Sequence, residues 1–187
     1  MIIYPTRRDM IASLPVGAKV VEVGVQRGNF SAEILTTHVG QLLLVDPWAV
    51  LPKQNVKDPS SIDQGGHEEN YRFTVTRFLR EIADRRVRVR RMPSLEAAKF
   101  APFGYYDAVY LDGDHTYEAA LADLFAWEPR VRPDGGTLMG HDYVDSEESR
   151  AMGFGVVRAV DDFCEKTGWR LAALTDEEWP SFKLVHP

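Results

Sequence analysis

Two short runs gather ionisable side chains of the kind that do chemistry: Asp112-Gly113-Asp114-His115 and His141-Asp142, each directly after an apolar stretch. Three carboxylates and two imidazoles converging on one cleft are in electrostatic conflict unless something positive joins them, and a divalent cation would resolve it. Oxygen-rich ligands suit Mg²⁺, and a histidine among them tolerates Mn²⁺. An alcohol is a weak nucleophile while protonated; a cation touching its oxygen lowers its pKa and fixes its direction. His115 is the candidate base, with an ordinary imidazole pKa of about 6.5, and Asp114 its catalytic neighbour. Plainer roles stand beside these: Asp114 as the cap of a helix starting near Thr116, His115 as a first-turn surface residue, His141 as a loop-shaping residue.

A second constellation lies earlier. Glu22-Val23-Gly24-Val25-Gln26-Arg27-Gly28 has the spacing E-x-G-x-x-x-G after a β-branched run. Glycines let the backbone turn sharply and approach a ligand. The dinucleotide fingerprint would need glycine where Gln26 stands, which argues against a pyrophosphate packed on a helix end. Asp46 closes the next apolar run, where a carboxylate can accept hydrogen bonds from two ribose hydroxyls. Trp48 offers an aromatic wall or ordinary core, and Ser94 a hydrogen bond to a base edge.

Elements that would position these residues alternate along the chain. Strands are expected at 19–23, 41–45, 86–91, 106–111, 137–139, 170–174 and 181–185. Helices are expected at 6–14, from Ala32 with Ser31 as cap, and at 70–83, 116–128 and 155–166. Such alternation implies βαβ units and a doubly wound, mostly parallel α/β sheet, whose ligands sit beyond the carboxyl ends of the strands. The arginines of 85–91 alternate with Val87 and Val89 and read as a solvated strand face. Residues 51–69 form a long polar stretch with the character of a lid, and 145–154 would form an opposite wall.

The chain has 187 residues, 44% hydrophobic and 27% charged, a size and balance suited to one soluble domain spanning 1–187. A net charge of -6 argues against a nucleic-acid-binding surface. Cys164 is the single cysteine, so neither an internal disulfide nor a cysteine-built metal site is expected. No apolar run approaches the roughly 18 residues of a membrane span, and no signal-like segment opens the chain, so a cytoplasmic location is expected.

The strings VVEVGVQRGNFS, LLLVDPW, PSLEAA, YLDGDHTYEAALADL, VRPDGG and GHDY resemble the class I S-adenosylmethionine-dependent methyltransferases. More narrowly they resemble the branch with metal-dependent macrolide sugar O-methyltransferases. The resemblance implies a Rossmann-like seven-stranded sheet with an antiparallel last strand and S-adenosylmethionine over the first two strands. It places Glu22, Gly24, Gln26, Gly28 and Asp112 around the methionine and ribose, Asp46 on the ribose, and Trp48 and Ser94 beside adenine. It assigns Mg²⁺ to Asp112, His141 and Asp142, with histidine standing where the pattern has a carboxylate. It also makes His115, three positions after Asp112, the catalytic histidine.

The function expected is O-methylation of a small hydroxylated acceptor, a sugar or natural product, without nucleic-acid or membrane partners and compatible with a homo-oligomer. A nicotinamide-dependent oxidoreductase and a non-catalytic cofactor-binding module are the alternatives. The same branch also contains cephalosporin-hydroxylase-like proteins, so cofactor class is better supported than reaction type.

Overall fold

The computed structural model describes residues 1–52, 57–58 and 61–186. One sheet contains β1 (Ile2–Tyr4), β2 (Lys19–Val23), β3 (Gln41–Asp46), β4 (Val87–Arg91), β5 (Ala108–Leu111), β6 (Thr137–Gly140), β7 (Arg170–Thr175) and β8 (Phe182–Val185). Its order is β1-β7-β8-β6-β5-β2-β3-β4. All pairs are parallel except the two that β8 makes with β6 and β7. The doubly wound sheet with an antiparallel last strand is as expected, but it has eight strands. The added one is β1, a mostly exposed edge of three residues paired to β7.

Helices α1 (Arg7–Ala12), α2 (Asn29–Leu35), α3 (Gln64–Arg77) and α4 (Leu79–Ala83) precede α5 (Ser94–Lys99), α6 (Tyr117–Trp127), α7 (Glu147–Ala151) and α8 (Val156–Thr167). Strand alternation sends neighbouring residues to opposite faces. Val20 joins Met10, Ile11, Phe30 and Ile34 of α1 and α2, whereas Val21 and Val23 join Leu124, Trp127, Val160 and Phe163 of α6 and α8. Both faces are therefore covered, which is why the strands read as continuous apolar runs.

Three local expectations need correction. Ser31 lies inside α2; the residue at the helix start is Gly28, in the left-handed region at φ 68°. The helix expected over 70–83 begins earlier, at Gln64, where the Asp63 side chain accepts from the Gly66 amide, and it breaks at Phe78. Residues 64–69 thus belong to a helix and not to a lid; of the remainder, 53–56 and 59–60 lie outside the described residues. Among the described residues no helix is long and apolar enough to cross a membrane.

After β4 the chain crosses to the other side of β2 to form β5. That reversal of strand order opens a crevice at the carboxyl ends of β2 and β5, the usual place for a ligand in such sheets.

Candidate active site

The turn leaving β2 is fitted to its neighbour. Gly24 has φ +83°, and a Cβ on it would stand 1.8 Å from the Asp112 carbonyl oxygen. Glycine here lets the ends of β2 and β5 touch, joining the two halves of the site. Gly28 is likewise forced, because a Cβ would meet the Phe78 ring at 2.6 Å.

Asp46 braces the turn from β3. Its Oδ2 accepts the Val25 and Gln26 amides, both at 2.9 Å, and its Oδ1 accepts the Trp48 amide at 2.6 Å. The Trp48 indole then donates to the Gln26 carbonyl at 2.8 Å. Gln26 and Trp48 both have positive φ, 49° and 41°, a costly conformation for residues with side chains. The carboxylate therefore holds two strained residues at once.

Glu22 is fully buried and accepts the Ser31 hydroxyl at 2.5 Å. Burial pushes its carboxyl up to about 8, so near neutral pH it is largely uncharged.

Of the residues expected around the cofactor, Glu22, Gly24, Gln26 and Asp112 line an open cleft of about 540 Å³. That is within the usual range of small-molecule sites. Gly28, Asp46, Trp48 and Ser94 are not on its wall. Asp46 accepts three amides of the turn. Trp48 has no exposed surface and packs on Tyr71 at 5.2 Å, so it is core and not an open adenine wall. The Ser94 hydroxyl donates to Asp123 at 2.6 Å and accepts the Trp127 indole at 2.8 Å, so it serves the packing of α5 on α6.

The carboxylate–imidazole group forms the other end of the cleft. His115 Nε2 lies 2.9 Å from Asp142 Oδ2 and 3.4 Å from Asp112 Oδ1, while Nδ1 lies 2.8 Å from Asp58 Oδ2. Carboxylates at both ring nitrogens favour the protonated imidazole. Burial works against that charge, but Asp112, Asp142 and Asp58 outweigh it and hold the imidazole well above its ordinary value. In turn Asp142, despite burial, is held well below the usual carboxylate range by His115 and His141. The histidine expected to be catalytic therefore sits among three carboxylates at this end of the cleft.

Ligand atoms of Asp112, His115 and Asp142 lie within 4.8 Å of one another. The expected set had His141 in the place of His115. His141 instead sits alongside, with Nδ1 3.0 Å from Asp142 Oδ1 and 3.8 Å from Asp112 Oδ1. Asp114 does not join the group: its Oδ1 accepts the Thr116 amide at 2.9 Å in the turn that enters α6. Thr116 itself caps that helix.

A family model described as a methyltransferase domain matches residues 21–143, which contain the glycine turn and both acidic runs. The chain belongs to this family of S-adenosylmethionine-dependent methyltransferases. Among solved structures, a protein of Corynebacterium glutamicum superposes with a TM-score of 0.63 at 13% identity, over 98% of this chain and 82% of that one. An O-methyltransferase family protein from Burkholderia thailandensis gives 0.64 at 15% identity, over 96% and 55%. Fibrillarin from Aeropyrum pernix, in complex with S-adenosylmethionine, gives 0.61 at 15%, over 92% and 69%. These likenesses establish the fold. No curated protein matches the sequence.

The methyltransferase cleft also takes residues that no motif marked. Arg7 of α1 reaches Asp112 Oδ2 at 3.6 Å with its guanidinium 4.4 Å from the Phe30 ring centroid. Asp58, Phe154 and Trp179 arrive from loops between elements. Their placement depends on tertiary folding, and the sequence hints were the polar stretch 51–69 for Asp58 and the wall expected at 145–154 for Phe154.

Proposed function

We propose that this methyltransferase moves the methyl group of S-adenosylmethionine to an oxygen of a small hydroxylated acceptor, with a divalent cation at Asp112, Asp142 and His115. One observation carries this reading: the glycine turn and the carboxylate–imidazole group are two ends of a single cleft.

Among the described residues of the wall, the carboxylates of Asp58, Asp112, Asp142 and Glu148 outnumber the guanidinium groups of Arg7 and Arg27, a balance that suits a cationic sulfonium better than an anionic pyrophosphate. Gly24, Val25 and Gln26 line the donor's side of the cleft, and Asp46 fixes the geometry of their turn.

The donor set fits a divalent ion, with two carboxylates and one imidazole on a cleft open to further ligands. A bound cation would neutralise the carboxylates and acidify the acceptor hydroxyl. Asp58, on His115 Nδ1, would then keep the proton on that nitrogen and leave Nε2 as the ligand atom. His141 is the imidazole left to receive the acceptor's proton: its Nδ1 pairs with Asp142 and leaves Nε2 as the basic atom.

The test is methyl transfer from radiolabelled S-adenosylmethionine to neutral hydroxylated acceptors, with Mg²⁺, with Mn²⁺, and with a chelator. Oxygen-linked label that disappears with the chelator is expected. Label on nitrogen or carbon, or transfer indifferent to the chelator, would refute the reaction or the metal respectively.

A further inference from the structure

One wall of the cleft is aromatic. Phe154, between α7 and α8, has its ring 4.5 Å from the His115 imidazole with 36° between planes. Trp179, between β7 and β8, stands 5.9 Å from Phe154 at 65°. Both rings are half-buried and line the cleft, making a corner beside the carboxylate group.

Backbone bonds tie both loops to the residues they flank. The Gly155 amide donates to the His115 carbonyl at 2.8 Å, and the Tyr143 amide, next to Asp142, donates to the Pro180 carbonyl at 2.8 Å. The corner is thereby set in register with the reacting centre before any ligand arrives, which spares the cost of ordering it on binding.

We propose that this corner is the acceptor subsite, taking an uncharged hydroxylated ring whose flat face lies on Phe154 and Trp179 while a hydroxyl reaches the carboxylate group. The assignment rests on the methyltransferase reading above. An aryl ring or the C–H face of a pyranose supplies the apolar surface that an aromatic corner binds. Among the described residues of the cleft wall, the carboxylates of Asp58, Asp112, Asp142 and Glu148 outnumber the guanidinium groups of Arg7 and Arg27, so with no cation bound a carboxylated or phosphorylated ring meets net like charge. An open-chain polyol has no flat face to offer.

The experiment is saturation-transfer NMR with affinities from titration, on the full chain kept free of divalent metal with a chelator. The probes are pyrocatechol and methyl α-glucopyranoside, their carboxylated counterparts protocatechuate and methyl glucuronide, and erythritol. At least one neutral ring is expected to bind, with its carboxylated counterpart about tenfold weaker or worse and erythritol silent. Phe154→Leu and Trp179→Leu, which keep an apolar side chain but remove the aromatic face, should each weaken that ring about fivefold. Which neutral probe binds separates aryl from pyranose. The subsite is overturned if neither neutral ring binds, if the carboxylated or open-chain probes bind equally well, or if both leucine variants bind as wild type does. S-adenosylhomocysteine titrated into the wild-type protein is read separately: its failure to bind would sink the methyltransferase reading and not the ring subsite.

Discussion

Replacing Asp46 distinguishes a residue that braces the donor turn from one that merely holds a ribose. Its carboxylate accepts three backbone amides, and two of the donors, Val25 and Trp48, belong to buried residues that water cannot serve instead. A buried donor left without a partner costs about 1–3 kcal/mol. Asp46→Ala strands both, a loss of about 4 kcal/mol. Asp46→Asn keeps one carbonyl oxygen but turns an NH₂ group toward amides on the other side, a loss of about 2 kcal/mol. For a domain of this size each kcal/mol moves Tm by about 2–4 °C, so the ligand-free asparagine variant should melt about 4–8 °C lower and the alanine variant about 8–16 °C lower. Thermal unfolding by circular dichroism without ligand reads this directly, and calorimetry with S-adenosylhomocysteine should show weakened binding in the same variants. If both variants lose the ligand yet melt within about 1 °C of wild type, Asp46 contacts the ligand and does not brace the turn.

Four other outcomes are expected. Glu22→Gln should abolish a pH dependence: with its folded value raised to about 8, the native state holds a proton that the unfolded chain loses near 4.5. Wild-type stability therefore falls as pH rises between those values, by up to about 1.4 kcal/mol per unit, and urea titrations at several pH values should show the variant lacking that slope. Gly24→Ala should destabilise by more than about 3 kcal/mol, because its methyl falls on the Asp112 carbonyl at a positive φ; unchanged denaturant unfolding would contradict the close approach. His141→Ala should slow transfer by about 10²-fold or more while S-adenosylhomocysteine binds as before, and full turnover would remove it as base. His115→Ala should weaken Mn²⁺ binding about tenfold or more by electron paramagnetic resonance, and unchanged affinity would take His115 out of the cation site.

The sheet was legible because buried parallel strands are mostly apolar on both faces, as Val20, Val21 and Val23 and the run Leu42 to Val45 are. Strand β1 was not, since three mostly exposed residues show no alternation and owe their conformation to β7. The start of α3 was hidden by the polar run Gln64-Gly65-Gly66-His67-Glu68-Glu69; it is held by the Asp63 cap and by Glu68 pairing with Arg72 and Arg91. At the site, the order of motifs identified which strand ends meet, and Asp112 and Asp142 do converge. What sequence left out was partnership. Ser31 and Glu22, Asp46 and the turn amides, and His115 and Asp58 are contacts across 9 to 57 residues of chain, fixed only by packing. The exchange of His115 and His141 has the same origin, since both follow strand ends and only folding decides which imidazole sits between the two carboxylates.

The most direct test is isothermal calorimetry of the wild-type protein with S-adenosylhomocysteine, followed by NAD as competitor. A single binding event per chain, indifferent to NAD, is the expected result. No heat with S-adenosylhomocysteine, or its displacement by NAD, would contradict a methyl-donor site at the turn after β2.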